Sequence, residues 1–458
     1  MSIKIKLSQF IQNHWDGYRP LLLALSGGPD SLILLQLLMK LKESLGFDLA
    51  IAHVDHRWRP TSEVEAHNLE KHACKLGIPF HLKTLTPDNL TGNLEAACRV
   101  ERLDFFNELC RKYNYQAVFL GHHADDQAET VLKRIFEGVS LPYLTALRPV
   151  TLMEKLTLWR PLLNSHKKEL LSELNTSDLE IEPVDDETNK DPRFLRARFR
   201  TKLLPMLTKE FGKEISTHLK NLSYEAQELN AYLDEKTSHF YSKLIEGSFG
   251  SKLDFKENIS IVSLEQKHLI RRFCRDAGLA ISREGLETVA YFLTNGTANK
   301  MISCGASKRK LYIDRYCLFA LNPIELNENE SLELLAAAIG ASIMENTFGE
   351  WILTAEIAST TDEKNDGWRD AWKGKVKVFL PTVTLPYTLA YPKVGDCYPN
   401  SSPIGHWWNK NKVPVFMRNF MPVIYYEGKI VHEFLSGRTN SICVNQTSTI
   451  AITLKRKK

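Results

Sequence analysis

The feature that most constrains this chain is an alternation of short apolar runs with amphipathic stretches over about its first 150 residues. The apolar runs predict four buried strands: Pro20–Leu25, Asp48–Val54, Phe80–Leu85 and Ala117–Gly121. The amphipathic stretches predict four helices: Ser31–Lys42, Ser62–Leu76, Asn93–Tyr113 and one that begins near Ala124. This alternation indicates an α/β fold with a parallel sheet. Since crossovers between parallel strands are nearly always right-handed, the loops that follow the strands share one edge, where open α/β sheets bind ligands.

The strongest functional signal is a six-residue string between the first predicted strand and the first predicted helix, Ser26-Gly27-Gly28-Pro29-Asp30-Ser31. Its glycines let the backbone turn sharply and approach an anion, and the helix points its N-terminal amides and positive dipole end at the same place. Asp30 would repel a phosphate, so it fits better as a Mg²⁺ ligand or as the residue that orients a reacting group. The simpler interpretation is a glycine-rich turn in which Ser31 caps an ordinary helix. The chain has neither the Gly-Lys-Ser/Thr of a Walker A loop nor a G-x-G-x-x-G dinucleotide fingerprint.

Further polar motifs follow the second and fourth predicted strands, lie on the third predicted helix and occur in a later segment. Their charged or imidazole-bearing residues are His53 and His56; Glu95, Arg99 and Arg102; His122, His123, Asp125, Asp126 and Glu129; and Asp185–Asp191 with Arg196 and Arg200 of the basic helix Arg193–Leu204. Two other interpretations stay open. The His and Asp residues at strand ends are also typical ligands of a transition metal. The acidic run and the basic helix are also typical of solvated surface.

Together and in this order, the loop and these motifs resemble the tRNA(Ile)-lysidine synthetase family of PP-loop ATP pyrophosphatases. The resemblance covers residues 1–215 and implies that they form a parallel-sheet, adenine-nucleotide-binding PP-loop catalytic domain. A helical tRNA-contacting domain over 216–330 and a small α+β, β-rich tRNA-binding C-terminal domain over 360–458 would follow. The residues that resemble the family's C-terminal module are Gly395-Asp396, Lys412-Val413-Pro414, Arg418, Pro422 and Gly428.

The resemblance also implies a reaction, its substrates and its site residues. Members of this family join free L-lysine to C2 of the wobble cytidine of an isoleucine tRNA with a CAU anticodon, after ATP has adenylated the cytosine C2 oxygen. We therefore expect ATP and Mg²⁺ in the site, and tRNA(Ile) and L-lysine as partners. The expected nucleotide contacts are Ser26, Gly27, Gly28, Pro29, Asp30, Ser31, His53 and His122, with Asp30 also at the metal. The expected catalytic residues are Asp30, Asp125, Asp126, Arg196 and Arg200.

Two positions depart from the family pattern. Arg196-Ala197 stands where Arg-Asn is usual, and Tyr391-Pro392-Lys393 lacks the Arg that is usual before the Gly-Asp of the C-terminal module. Two other functions stay open: a PP-loop enzyme of tRNA 2-thiolation, and a non-catalytic tRNA-binding protein that holds ATP as a structural ligand. None of the eight cysteines forms a C-x-x-C pair, which argues against thiolation.

Composition bears on the partners and the compartment. The formal net charge is only +4, but nine basic residues against three acidic ones lie between Thr188 and Lys220, which suits a phosphate-rich partner. The longest apolar stretches fall short of the ~18 residues of a membrane span, and the N-terminus lacks the apolar block of a signal peptide. We therefore expect a cytoplasmic chain with reduced cysteines and no membrane partner, and a homodimer stays open.

Overall fold

The structure, a computed structural model, describes most of the chain. The described residues are 2–58, 61–86, 94–153, 156–174, 195–256, 263–305, 307–323, 331–334, 344–358, 367–382, 386–393, 395–397, 403–439 and 449–457. Their contacts divide the chain into Met1–Tyr232, here unit 1, and Leu233–Lys458, here unit 2. The three predicted domains, 1–215, 216–330 and 360–458, remain predictions. Within the described ranges, no helix is both long and apolar enough to cross a membrane.

Unit 1 is built on a six-stranded sheet. Its strands are β1 Leu21–Ala24, β2 Leu49–Asp55, β3 Phe80–Thr84, β4 Val118–Phe119, β5 Val150–Met153 and β6 Leu156–Trp159. The strand order is β3-β2-β1-β4-β6-β5; all neighbours are parallel except the β5–β6 pair. The predicted parallel sheet and its four strands are confirmed. β4 is shorter than predicted, although the Leu120 amide still donates to the Trp159 carbonyl of β6 at 2.8 Å.

Helices cover both faces of this sheet. They are α1 Ile3–His14, α2 Pro29–Leu45, α3 Ser62–Lys75, α4 Leu94–Tyr113, α5 Ala124–Phe136 and α6 Lys167–Leu174. On one face, Leu21 and Leu23 of β1 belong to a core cluster with side chains of α1 and α2. On the other face, Leu22 packs with Phe105 and Phe106 of α4. Because successive side chains of a strand point to opposite faces, this two-sided burial explains the continuous apolar run of β1.

The basic segment of unit 1 is a helix with one irregular turn. Leu195–Arg198 (α7) runs into a π-helical turn, Phe199–Leu203, and continues as Leu204–Phe211 (α8). The sequence predicts that this helix ends at Pro205, but a proline is tolerated where α8 starts because the first turn needs no amide donor there. Phe199 and Leu204 are buried with Leu132 of α5. This packing fixes the segment against the helix that follows β4.

Unit 2 begins with helices and a five-stranded antiparallel sheet. The helices are α9 Ile215–Tyr241, which starts in unit 1, α10 Ser263–Asp276 and α11 Arg283–Thr294. The strands are β7 Ile245–Gly247, β8 Gly250–Asp254, β9 Lys300–Ile302, β10 Lys310–Asp314 and β11 Cys317–Leu321, in the order β7-β8-β11-β10-β9. The helices expected over 216–330 are present, and the sheet is an addition that the sequence did not predict. Apolar runs of three to five residues do not distinguish a strand from a piece of helix.

The remainder of unit 2 is β-rich, as predicted. Its strands are β12 Ser331–Leu334, β13 Met344–Phe348, β14 Trp351–Ala358, β15 Lys375–Pro381, β16 Tyr387–Ala390, β17 Val423–Tyr426, β18 Lys429–Glu433, β19 Arg438–Thr439 and β20 Thr449–Arg456. They form two antiparallel sheets, β12-β16-β17-β18-β19 and β13-β14-β20-β15. The helices α12 Trp368–Lys373, α13 Ile404–Lys410 and α14 Val415–Arg418 accompany them. One apolar cluster, with Trp351, Trp372 and Tyr387 among its fully buried members, joins both sheets.

Candidate active site

The predicted phosphate loop connects β1 to α2. Gly27 has φ +84°, a left-handed conformation that favours glycine, and Gly28 is the N-cap of α2 without any side-chain capping bond. Ser31 donates from Oγ to the Gly28 carbonyl at 2.9 Å, and its Oγ lies 3.1 Å from Ser26 Oγ. Ser31 is therefore not the capping residue of the simpler interpretation. Because no side chain caps α2, its dipole and the Asp30 amide are available to an anion. Pro29 has no amide proton, and the Ser31 amide donates to the Gly28 carbonyl at 3.1 Å.

Gly121 lets the loop lie close to the end of β4. A Cβ atom at this position would sit 3.2 Å from the carbonyl carbon and oxygen of Asp30 and from the Ser31 Cα. These are backbone atoms, so a side chain at position 121 would press directly on the first turn of α2. The absence of a side chain at Gly121 therefore sets the distance between the two halves of the site.

Two of the expected nucleotide contacts are histidines at strand ends. His53 is buried, and its Nδ1 lies 2.7 Å from the Leu25 carbonyl, so Nδ1 carries the proton and Nε2 is an acceptor. Burial lowers the pKa of His53. Burial also lowers the pKa of His122, to about 4, and its buried Nδ1 has no hydrogen-bond partner within the described part of the chain. Both rings are therefore neutral near pH 7, and His122 has a nitrogen available to a ligand.

His123 lies among three aspartates at the N-terminus of α5. Its Nε2 is 3.6 Å from one oxygen each of Asp30 and Asp126, and its Nδ1 is 3.4 Å from Asp125 Oδ2. Burial alone favours the neutral ring, but the hydrogen bonds and charges of the three carboxylates outweigh it and raise the pKa of His123 to about 10. A protonated Nδ1 donates to the Asp125 carboxylate and cannot also accept the Asp125 amide at 3.2 Å. The ring is therefore a buried cation that connects three carboxylates.

Asp30 faces the loop from the first turn of α2. Its Oδ2 is near His123 and 3.7 Å from Lys167 Nζ. Burial alone would raise the pKa of Asp30, but the positive charges of His123, Lys167 and Arg200 hold it below its usual value. Asp30 Oδ1 is buried and has no hydrogen-bond partner among the described residues. An ionised carboxylate with one unsatisfied buried oxygen is suited to a cation or to a reacting group.

Asp125 connects α5 to the start of α6. Its Oδ2 accepts the Lys167 amide at 2.9 Å, and its Oδ1 lies 3.5 Å from His166 Nδ1. Burial alone would raise the pKa of Asp125, but His123, the Lys167 amide and His166 hold it well below its usual value. Both oxygens of Asp125 therefore already have partners within the protein. The carboxylate acts as a bridge that fixes the N-terminus of α6 at the site.

Arg200 joins the acidic residues of α5 to the basic segment. It donates from Nε to Glu129 Oε1 at 2.7 Å and from Nη2 to Asp126 Oδ1 at 3.1 Å. Glu129 is only 3% exposed, and this burial raises its pKa although Arg200 opposes the shift. Arg196, on the same segment, is exposed, and its charge acts on His122 and Glu129. The π-helical turn after Arg198 therefore holds a residue that binds inward to two carboxylates.

The site combines an anion-binding loop with a group of carboxylates. The structure brings together the loop 26–31, His123, Asp125, Asp126, Glu129 and Arg200. It places His53 near the end of β2 and His122 after β4, the two strands that flank β1. Asp185–Asp191 lies outside the described residues. Within the described ranges there is no group of three or more His, Cys, Asp or Glu that could hold a metal. The arrangement is suited to phosphates on one side and to a positively charged ligand on the other.

Three residues of the site are missing from the sequence prediction: Gly121, His166 and Lys167. For Lys167 a signal exists, because a lysine at the first position of a helix opposes the helix dipole and needs another explanation. For His166 no pattern marks the residue. Gly121 lies next to the expected His122, but only the tertiary structure shows that α2 approaches it.

The C-terminal residues expected to contact tRNA have structural partners within unit 2. Gly395 has φ +93°, and Asp396 accepts the Lys393 amide and the Tyr425 hydroxyl. Arg418 donates to the Val413 carbonyl at 2.9 Å and to Asn409 Oδ1 at 2.8 Å. These contacts shape turns of the module, and a tRNA contact by these residues remains a prediction.

Comparisons with known proteins identify the family of this chain. Residues 1–207 match the family model described as the PP-loop domain, so fold and site define a protein of the PP-loop class. The tRNA(Ile)-lysidine synthase of Protochlamydia amoebophila (strain UWE25) is 34% identical over 434 residues, 94% of this chain and 92% of that protein. The tRNA(Ile)-lysidine synthase of Chlamydia muridarum (strain MoPn / Nigg) is 39% identical over 277 residues, 60% of this chain and 84% of that protein. The chain belongs to the tRNA(Ile)-lysidine synthase family.

Solved structures are more distant. The U34-tRNA thiolase NcsA from Methanococcus maripaludis has a TM-score of 0.41 and 18% identity, over 49% of this chain and 78% of that chain. A likeness at this level does not distinguish one function from another.

Proposed function

We propose that this chain is an ATP-dependent ligase that joins free L-lysine to C2 of the wobble cytidine of tRNA(Ile) with a CAU anticodon. The products are lysidine in the tRNA, AMP and pyrophosphate. The observation that carries this proposal is the juxtaposition of an uncapped helix N-terminus at Gly28 with the carboxylates of Asp30, Asp126 and Glu129. The helix N-terminus is suited to the phosphates of ATP, and the carboxylates are suited to the ammonium group of lysine. The name of the relative that matches 94% of this chain supports the same reaction.

The first step activates the base. The C2 oxygen of cytosine is a poor leaving group, so it attacks the α-phosphorus of ATP, and the bond to pyrophosphate breaks. The Ser26 and Ser31 hydroxyls and the Asp30 amide at the N-terminus of α2 would hold the departing pyrophosphate. His53 and His122 would contact the nucleotide. Arg196 or Arg200 would stabilise the charge of the transferring phosphoryl group or the base, which must leave its stack to enter such a site.

Asp30 fits a role at Mg²⁺. Mg²⁺ is usually held by one or two carboxylates, substrate phosphates and waters, so a site with a single free protein oxygen is sufficient. Asp30 Oδ1 is that oxygen, because it is buried, ionised and unpartnered among the described residues. When bound, the metal neutralises phosphate charge. This chain's own contribution is to orient Asp30 through His123 and to keep it ionised.

The second step joins lysine to the base. The ε-amine attacks C2, and the bond between C2 and the oxygen breaks, so that AMP leaves with that oxygen. Because the amine is protonated near pH 7, a carboxylate has to accept a proton before the attack. Asp125, Asp126 and Glu129 form the acidic side of the site. Of these, Glu129 has the pKa that burial raises, which suits a group that takes up a proton.

The test is a ligation assay with ATP, Mg²⁺, radiolabelled lysine and isoleucine tRNA with a CAU anticodon. We expect covalent label in the tRNA together with AMP and pyrophosphate. The variant Asp30→Ala should abolish lysine-dependent AMP release, while Asp16→Ala, at an acidic residue paired with Arg19 before β1, should retain it. Sulfur incorporation instead of lysine would indicate a thiolation enzyme, and tRNA binding without AMP release would indicate a binding protein. Normal turnover by Asp30→Ala would refute the assigned role.

A further inference from the structure

Lys167 is a cation of the site that the expected chemistry does not use. Its Nζ lies 3.7 Å from Asp30 Oδ2, and its side chain is 34% exposed. Asp30 belongs to the phosphate loop. The Lys167 ammonium therefore lies next to the expected position of the ATP phosphates, with the Asp30 carboxylate as its present partner. The loop itself carries one negative charge and no positive one, since it contains two serines, two glycines, a proline and Asp30. A pyrophosphate leaving group needs positive charge from elsewhere.

Three protein cations act on Asp30: His123, Lys167 and Arg200. His123 is 1% exposed and is surrounded by three carboxylates. Arg200 donates to both Asp126 and Glu129. Lys167 differs from both, because its ion pair with Asp30 is long and its head group reaches solvent. Of these three cations, Lys167 can therefore change partner at the smallest cost.

The position of Lys167 in the chain supports a functional role. It is the first residue of α6, where the positive end of the helix dipole disfavours a cation, so helix stability does not explain it. Its backbone amide is held by Asp125 Oδ2 at 2.9 Å, which fixes the base of a long flexible side chain beside the loop. A lysine with a fixed backbone and a head group in a long ion pair can follow an anion as a point charge.

We propose that Lys167 is a phosphate-binding residue of the nucleotide site, whose ammonium moves from Asp30 to the oxygens of the pyrophosphate part of ATP. The inference rests on the proposed function for the identity of the nucleotide. It assigns the first helical residue of α6 to the task that a lysine within the loop performs in Walker A proteins. After this move, Asp30 Oδ2 keeps its contact with His123 Nε2 at 3.6 Å.

The test compares Lys167→Met and Lys167→Arg with Lys168→Met in the full chain. Lys168 is the exposed neighbour on the same helix and is the matched control. Binding of inorganic pyrophosphate, and of an ATP analogue with a methylene between the α and β phosphates, is measured by calorimetric titration with Mg²⁺ present. We expect Lys167→Met to weaken the binding of both ligands about tenfold, because one charge-assisted contact is lost. Lys167→Arg should retain most of the affinity for both. Lys168→Met should bind both like the wild type.

Steady-state kinetics supply the second readout. Lys167→Met should raise the KM for ATP and leave the KM for lysine unchanged. Unchanged pyrophosphate affinity in Lys167→Met would overturn the inference, and so would a changed KM for lysine with an unchanged KM for ATP. If Lys167→Met does not fold, Lys167→Gln replaces it under the same criteria. Failure of the wild type to label tRNA overturns the proposed function, whereas the pyrophosphate titration still decides the role of Lys167.

Discussion

Individual charges in this site are defined by their neighbours more than by their own residue type. His123 is a cation because three carboxylates surround it, whereas the adjacent His122 is neutral because it is buried among arginines. Glu129 and Asp125 are separated by one turn of α5, yet the pKa of the first is raised and that of the second is lowered. Environments that separate the pKa values of similar groups are typical of sites that move protons.

Arg200 should be sensitive to a change that keeps its charge. A lysine at this position cannot contact Asp126 and Glu129 at the same time, because it lacks the planar fork of the guanidinium group. We expect Arg200→Lys to lower the kcat of lysine-dependent AMP release by about tenfold or more. The control is Arg198→Lys, at an exposed position of the same segment. Equal kcat values for the two variants would contradict the role of Arg200.

His432 of β18 is buried and should make the stability of the fold depend on pH. Burial lowers the pKa of this residue to about 3, and its Nδ1 contacts Thr439 Oγ1 at 2.8 Å. An unfolded chain binds a proton there below about pH 6.5, while the folded chain does not until about pH 3, so stability falls as the pH drops through this window. Between pH 7 and 5.5 the wild type should lose about 1 kcal/mol more unfolding free energy than His432→Gln. Urea unfolding at both pH values measures this, and an equal loss in both proteins would contradict it.

At the scale of elements, the site depends on three helix N-termini and one strand end that meet. α2 begins at Pro29, after its N-cap Gly28, and presents the Asp30 amide. α5 begins after His123, and α6 begins at Lys167, whose amide Asp125 accepts. The end of β4 approaches α2 at Gly121 without an intervening side chain. The charged groups of the site are therefore positioned by the ends of these elements. Small changes in the spacing between the elements should alter phosphate binding.

Gly121→Ala tests this spacing. Its Cβ would meet backbone atoms of Asp30 and Ser31 at 3.2 Å, so α2 or β4 has to move by a few tenths of an ångström. We expect the KM for ATP to rise severalfold, with a smaller change in the KM for lysine. Gly405→Ala is the control, because that helical glycine has open space around its Cβ position and no positive φ. An unchanged KM for ATP in Gly121→Ala would show that the spacing is not critical.

The sequence predicts β1–β4 and α2–α5 of unit 1 because apolar runs alternate there with amphipathic stretches, whereas α1, α6 and the β5–β6 pair were not predicted. The phosphate loop and the carboxylates of α5 are also predicted, since each follows a strand and shares the ligand edge. The partners of those carboxylates could not be predicted, because Lys167 and Arg200 reach Asp30, Asp126 and Glu129 only through tertiary packing. The sheet of β7–β11 was missed because its short strands do not alternate with amphipathic helices as β1–β4 do.

Across the whole molecule, the described apolar clusters fall into two sets, one in each unit. The phosphate loop and all its described partners belong to unit 1, whereas the antiparallel sheets belong to unit 2. Units with separate cores can unfold separately.

Scanning calorimetry should therefore show two transitions. An ATP analogue that binds the native loop stabilises only the unit that contains it, by about 2.7 kcal/mol at a ligand concentration of one hundred times Kd. We expect the analogue to raise the midpoint of one transition and to leave the other unchanged. The same titration with Lys167→Met should need a higher ligand concentration for the same increase. A single transition that moves as a whole would contradict the independence of the two cores.

The position of β20 has a consequence for biosynthesis. This strand, Thr449–Arg456, lies between β14 and β15 and pairs with both. β14 and β15 leave the ribosome before β20 and do not pair with each other in the final sheet. Each therefore lacks this partner strand until residues 449–456 have been translated. Unit 1 can fold during translation, while the nascent unit 2 keeps exposed strand edges until its last strand emerges. A chaperone that acts on this chain should therefore be needed late in translation. A stop codon before position 449 should yield a product that aggregates although its phosphate loop is intact.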